Sequence, residues 1–348
     1  MTAPATRMRR EIDEQPAAIA GTLDALLPLA PQLRALAAGA RQVLFVARGS
    51  SDNAAVYGQY LVSTRGGRLA TLASPSVATA YHARADLAGV LAVVISQSGG
   101  TEEIVETMQW ARGCGARAVA VTNVAGSPLA AQADLALVTA AGQELAVPAT
   151  KTYTTELAAL AVLGLALAGD DAGLDALRAV PAEVERMLGV AAAAEELASR
   201  LTYVRRLVVS ARGFAASTAL ELALKLKEAC YVTALGLSWA DLLHGPIAVV
   251  DPDTPALLVA AASDGAVLDG MLRLARRCAD AGAHVYGIGG DGGFAAACRA
   301  VLPGTDLAAE LAPIPLIVPG QLLTEALARA KGIDPDAPRG LRKVTQTG

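Results

Sequence analysis

Four charged side chains interrupt a segment that is otherwise almost wholly apolar, and all but Lys227 share one side of a helix. In ALELALKLKEACY (219–231), Glu221, Lys225 and Glu228 fall within roughly 60° of one another at the 100° step of an α-helix. Leu220, Leu222, Leu224 and Leu226 spread around the remaining circumference, which predicts a largely buried helix. Two readings of the stripe are open. It is a solvated ridge carrying a Glu221–Lys225 (i, i+4) pair, worth a few tenths of a kcal/mol. Or it faces a polar cavity with Glu228 as a proton-transfer base, where burial raises a carboxyl pKa and an adjacent ammonium lowers it. Downstream, WADLLHGPIAVVD (239–251) places His244 before Gly-Pro, on a turn. It is one of three histidines, with His82 and His284. A lone histidine is usually structural; near a carboxylate and a phosphate site it is an acid/base candidate.

A second chemistry is suggested by hydroxyls. Ser96, Gln97, Ser98 and Thr101 cluster in SQSGGTEE (96–103), after an apolar run and before a helical pattern. Ser50 and Ser51 follow an earlier apolar run in the same way. Unsatisfied N–H groups at a helix N-terminus favour an anion, hydroxyls add neutral donors, and Gly99 and Gly100 let the backbone come close. The competing reading is plain helix capping, with the acidic residues after Thr101 serving the helix dipole. Two clusters in one sheet weigh toward phosphate. There is no GxxxxGK[ST], and GxGxxG is absent after the first run, which argues against nucleotide P-loop and dinucleotide sites.

These groups need elements to position them. QVLFVA (42–47), VLAVVIS (90–96) and RAVAVTN (117–123) read as buried parallel strands. TEEIVETMQWARG (101–113) lies between two of them, with Ile104, Met108 and Ala111 at helical spacing. The alternation predicts right-handed βαβ units in an open α/β sheet. The pattern then restarts. VLFVARGSSDNAAVYGQYL (43–61) resembles LVVSARGFAASTALELAL (207–224), and LAVVISQSGGTEEI (91–104) is echoed weakly by ALLVAAASDGAVLD (256–269). Two matches in one order at one offset indicate an internal duplication. A helical 170–200 region is expected to join the halves, and KGIDPDAPRGLRKVTQTG (331–348) to be an irregular tail.

The 348 residues suit two domains of average size. Apolar residues make up 53% and charged residues 18%, ample for a core and unlike a disordered chain. The net charge of −4 and the lack of a dominant basic patch argue against a nucleic-acid partner. Cys114, Cys230, Cys278 and Cys298 are scattered without CxxC spacing, which fits a reducing, cytoplasmic setting rather than a zinc site or disulfide framework. MTAPATRMRREIDEQP has no apolar signal core, and the longest apolar run (157–169) is too short to span a bilayer, so no membrane association is expected.

Taken in order, MRREIDEQPAAI, ARGSSDNA, SQSGGTEE, ELAVPATKTYTTEL, ALELALKLKEACY, DLLHGPIAVVD and DAPRGLRKVTQT resemble the isomerase half of glucosamine-6-phosphate synthase. That half belongs to the double-SIS (sugar isomerase) family, and the resemblance runs almost end to end. It implies an α/β fold of two tandem SIS domains, each a flavodoxin-like three-layer αβα sandwich with a mainly parallel sheet, plus an irregular C-terminal tail. The expected divisions are 1–185 for an N-terminal helix and the first domain, 186–332 for the second, and 333–348 for a tail closing the active site.

The resemblance also implies roles. Ser50, Ser51, Ser96, Gln97, Ser98 and Thr101 would hold the sugar phosphate. Val147 and Ala149 fall at sugar-contact positions, Ala149 where the synthase carries a serine. Glu228 would move a proton between C1 and C2 of the open-chain sugar, with Lys225 supporting it. His244 would assist ring opening, reaching the neighbouring subunit's site in a homodimer. Lys343 would form a Schiff base with the keto sugar, which needs an amine deprotonated often enough to attack. No metal or organic cofactor is implied. The sequence opens Met-Thr without the N-terminal cysteine of a glutaminase. The expectation is therefore a deaminase/isomerase that converts glucosamine 6-phosphate to fructose 6-phosphate and ammonia. The alternatives are a synthase-like subunit that aminates fructose 6-phosphate, a fructosamine-6-phosphate deglycase, and a non-catalytic phosphosugar sensor.

Overall fold

Short runs rich in Val, Leu, Ala and Ile form strands buried on both faces, the pattern that parallel sheets require. The computed structural model describes residues 5–343. Among these residues, ten strands form two sheets. The first comprises β1 (Gln42–Val46), β2 (Leu69–Leu72), β3 (Val90–Ile95), β4 (Arg117–Thr122) and β5 (Leu135–Val138), in the order β2-β1-β3-β4-β5. The second comprises β6 (Arg206–Ala211), β7 (Thr233–Ser238), β8 (Ala256–Ala260), β9 (Val285–Gly289) and β10 (Ala300–Leu302), in the order β10-β9-β8-β6-β7. All strand pairs in both sheets are parallel. Read from opposite edges, both sheets have the flavodoxin-like order, with the first strand between the second and third.

Contacts divide the described chain into two units. One holds 17–144 and 151–179 with the first sheet; the other holds 5–16, 145–150 and 180–343 with the second. In the first unit, successive residues of β1 serve opposite faces. Phe45 packs so closely on the helix Ser50–Thr64 that a Cβ on Gly58 would lie 2.8 Å from its ring. Val46 instead joins Ala92, Val94 and Ala120 against Ile104, Met108 and Ala111 of the helix Glu102–Gly113. The apolar run at 157–169 lies, up to its final glycine, in the helix Lys151–Ala168, which is buried almost throughout and packs on Ser50–Thr64. Helices therefore cover both faces of the sheet, giving three layers.

In the second unit, Val208, Ala256 and Leu258 pack on Leu268, Met271, Leu274 and Cys278 of the helix Gly265–Asp280. The helix Ala216–Cys230 packs on Pro313–Ala330, where Gly320 lets Leu222 approach. The expected helical 170–200 region is resolved into Asp171–Ala176, Val180–Leu188 and Ala191–Leu201. Residues 331–343 are irregular, as expected; the remainder of the expected tail, 344–348, lies outside the described residues. No described helix is long and apolar enough to cross a membrane.

Candidate active site

The two hydroxyl clusters sit at neighbouring strand ends, because β1 pairs directly with β3. The chain proceeds from β1 to one side of the sheet and from β3 to the other. That reversal opens the crevice in which open α/β sheets bind ligands. Gly49, at φ +61° with open space beside its Cα, turns the chain from β1 into the helix Ser50–Thr64. After β3, Ser96 N–H donates to Val121 O at 3.0 Å, and Asn123 N–H and the Thr122 hydroxyl donate to Gln97 O at 3.0 and 3.3 Å. Gly99, at φ +60°, passes so near Ser127 and Thr122 that any Cβ there would collide with both. Residues 96–100 are thus a fixed loop.

Thr101 is the N-cap of Glu102–Gly113, yet its hydroxyl makes no capping hydrogen bond. Capping does not explain that side chain. Ser98 Oγ accepts from Gly100 N–H at 3.3 Å, within the loop. Ser51 is different. Its buried hydroxyl donates to Glu156 Oε1 at 2.9 Å, so its one proton is committed and its backbone N–H is the donor left for an anion. Arg48 joins the two loops, holding Glu103 bidentately at 3.0 and 3.1 Å. Burial pushes the Asp52 carboxyl above its ordinary value, against the opposing pull of Arg48.

The second unit does not repeat this cradle. Phe214, Ala215 and Ala216 follow its Ala-Arg-Gly, in place of serines. Asp264 Oδ2 would lie 3.3 Å from a Cβ on Gly213, where Gly49 has open space. Burial chiefly, with help from Glu310, raises that carboxyl pKa. A carboxylate at this position disfavours a phosphate, so the cradle of the first sheet is not repeated at the corresponding strand end of the second.

What the second unit offers is the charged helix Ala216–Cys230. Glu221 and Lys225 are 0% and 1% exposed, which overturns the solvated-ridge reading. Lys225 Nζ lies 3.5 Å from Glu221 Oε1 and hydrogen-bonds Glu228 Oε2. Glu228 keeps 22% of its side chain exposed. The arrangement is a buried cation between a buried carboxylate and a partly accessible one. It fixes one oxygen of Glu228 and leaves the group open to a substrate. Lys227 is exposed, away from this cluster.

His244 ends the short helix Trp239–Leu243, with its N–H on Asp241 O at 3.1 Å, and Gly245 follows at φ +127°. It is on a turn, as expected, and exposed. The strap 145–150 is held by the carboxylate of Glu11, which accepts from Leu145 and Ala146 N–H, and by Gln321, which donates to Thr150 O at 3.3 Å. On it, Val147 N–H donates to Asp336 O at 3.2 Å. Val147 and Ala149 are partly buried. Asp336 also caps the helix Arg7–Asp13, accepting from Arg7 and Met8 N–H at 2.8 Å each. Further on, Arg339 N–H donates to the Tyr231 hydroxyl at 2.7 Å, and its guanidinium lies 4.5 Å above that ring. The tail is therefore clamped twice before Lys343, which is partly buried.

The structure thus gathers Glu221, Lys225 and Glu228 into one cluster, and the six cradle residues onto two adjacent loops. Sequence reasoning missed Arg48, Glu103, Glu156, Asp336 and Arg339. Arg48 had a signal, since Ala-Arg-Gly recurs in both halves. The others act across long sequence separations that no local pattern reveals.

Known proteins share this architecture. The SIS domain family matches residues 37–166, which contain the whole first sheet. A solved structure from Silicibacter pomeroyi DSS-3, provisionally described as a phosphosugar isomerase, is 35% identical; the match has a TM-score of 0.82 and covers 95% of this chain and 100% of that one. The chain belongs to the SIS-domain family. The SIS fold extends over both units. The C-terminal domain of glucosamine-fructose-6-phosphate aminotransferase from Francisella tularensis matches with a TM-score of 0.86 at 26% identity, over 97% of this chain and 99% of that one. Among curated proteins, the glutamine–fructose-6-phosphate aminotransferase of Thermococcus kodakarensis is 36% identical over 350 residues, 97% of this chain and 57% of that protein. The chain thus spans a little over half the length of such curated relatives.

Proposed function

We propose that this SIS protein is an aldose–ketose isomerase of amino-sugar 6-phosphates, which isomerises glucosamine 6-phosphate to a ketose imine that one water hydrolyses to fructose 6-phosphate and ammonia. The carrying observation is the buried Glu221–Lys225 pair beneath a partly accessible Glu228. Interconversion at C1 and C2 needs one base that takes a proton from one carbon and returns it to the next. Glu228 is held by Lys225 yet accessible, as that role demands. The phosphate is held by the backbone N–H groups and hydroxyls at 50–51 and 96–101, with Thr101 free of capping duty. His244 assists ring opening in the partner subunit of a homodimer, and Lys343 carries the keto sugar as a Schiff base. Relatedness to the aminotransferase C-terminal domain supports the substrate class. The direct test is ammonia and fructose 6-phosphate release from glucosamine 6-phosphate. No turnover of it or of its galacto-epimer would end the proposal.

One observation favours a second reading. The curated relatives are glutamine–fructose-6-phosphate aminotransferases, so the same site would run toward amination of fructose 6-phosphate. Formation of glucosamine 6-phosphate from fructose 6-phosphate and an ammonium salt, faster than the reverse at matched concentrations, would select it.

A further inference from the structure

The second unit holds a groove of about 760 Å³ that the reaction above does not use. Arg205 and Lys331 line it with Thr202, Tyr203, Tyr231 and Thr233. It lies at the N-terminal ends of β6 and β7, which start at Arg206 and Thr233. In this class of fold the substrate end of a sheet is the other one. Two cationic residues and four hydroxyl-bearing ones line the groove, and no Asp or Glu among the described residues does. On a chain of net charge −4 that is a local inversion of sign.

The groove is also built. Lys331 Nζ donates to Thr202 O and Val204 O, both at 2.8 Å. An ammonium has three donors, so one remains. Burial first, with Arg205 adding to it, holds the Lys331 ammonium below the ordinary lysine range; the nearby Cys230 opposes this. Two like charges thus stand close together, and an anion would relieve both. Tyr203 and Tyr231 are 66% and 37% exposed, offering aromatic faces beside that charge. Tyr231 takes a left-handed conformation at φ +53°, a strained position for a residue with a side chain. It is held there while its hydroxyl and ring grip Arg339 of the tail.

We propose that this groove is a second ligand site for a phosphorylated small molecule. Its phosphate is held by Lys331 and Arg205, and its organic part lies against Tyr203 and Tyr231. Because Tyr231 also clamps the tail, occupancy stiffens the segment leading to Lys343. The proposal does not depend on the reaction assigned above.

Calorimetric titration tests it with three probes: inorganic phosphate, a hexose 6-phosphate and a nucleoside monophosphate. The Ser98→Ala/Thr101→Ala protein weakens the strand-end cradle, so binding that survives these changes and is lost with Arg205→Glu belongs to the groove. That protein is expected to bind one equivalent of at least one organic phosphate, more tightly than inorganic phosphate. Adding Arg205→Glu, an exposed position, should weaken binding about tenfold or more, as loss of a charge-assisted contact does, with the melting temperature unchanged. The preferred organic probe distinguishes a sugar phosphate from a nucleotide as the source. Failure of all three to bind, equal binding of inorganic phosphate, or undiminished binding after Arg205→Glu would overturn the proposal.

Discussion

Removing Lys225 should destabilise the second unit without unfolding it. The side chain is 1% exposed and serves Glu221, which is fully buried, and Glu228, which is not. Lys225→Met keeps the volume and deletes the charge. Glu228 can turn to water; Glu221 cannot. A carboxyl with an ordinary value of about 4.3 costs roughly 3.7 kcal/mol to keep protonated at pH 7. The figure agrees with the ~3–5 kcal/mol typical of breaking a buried ion pair from one side. For a unit of this size each kcal/mol shifts the melting temperature by about 2–4 °C, so the loss is about 6–20 °C. The deficit should shrink as pH falls toward 5, since protonating Glu221 becomes cheaper. Adding Glu221→Gln should recover most of it, because a neutral amide pays far less for burial. Urea denaturation of wild type, both single variants and the double variant measures the cycle. A Lys225→Met protein within about 0.5 kcal/mol of wild type, or a double variant no better than it, would refute the buried-pair reasoning.

Other expectations follow from the same geometry. Thr101→Val should leave thermal stability within about 0.5 kcal/mol of wild type, because the hydroxyl caps nothing. It should weaken inorganic phosphate binding by about tenfold or more, measured by calorimetry. Asp52 has a raised folded-state pKa, so its contribution to stability is greatest at low pH and falls as pH climbs above the ordinary aspartate value. Asp52→Asn should flatten that slope in denaturation curves measured from pH 3.5 to 7. If His244 serves the partner subunit, mixing inactive Glu228→Gln and His244→Ala proteins should restore part of the wild-type rate through mixed dimers. Mixtures as inactive as their parents would place His244 elsewhere.

Much of the fold was legible because β1, β3 and β4 are unbroken apolar runs. Some strands that went unread are of another kind. β2 and β5 are four residues long, and β7 carries Thr233, Gly236 and Ser238 at an edge. Their partners, not their own residues, make them strands. The cradle was legible because small hydroxyl residues between a strand and a helix leave a local trace. The commitment of Ser51 to Glu156 left none, since 105 residues separate the two. Periodicity grouped Glu221, Lys225 and Glu228, but an amphipathic ridge and a buried ion cluster have the same spacing. Only the burial of that helix against β6, β7 and the helix Pro313–Ala330 decides between them.

Proton transfer by Glu228 is the central claim. It is tested by incubating the protein with glucosamine 6-phosphate or fructose 6-phosphate in D₂O and following deuterium entry at C1 and C2 by NMR. Wild type should incorporate solvent deuterium, and Glu228→Gln should lose about 10²–10⁴-fold in that exchange while still binding the sugar phosphate. Exchange at the wild-type rate in Glu228→Gln would contradict the account.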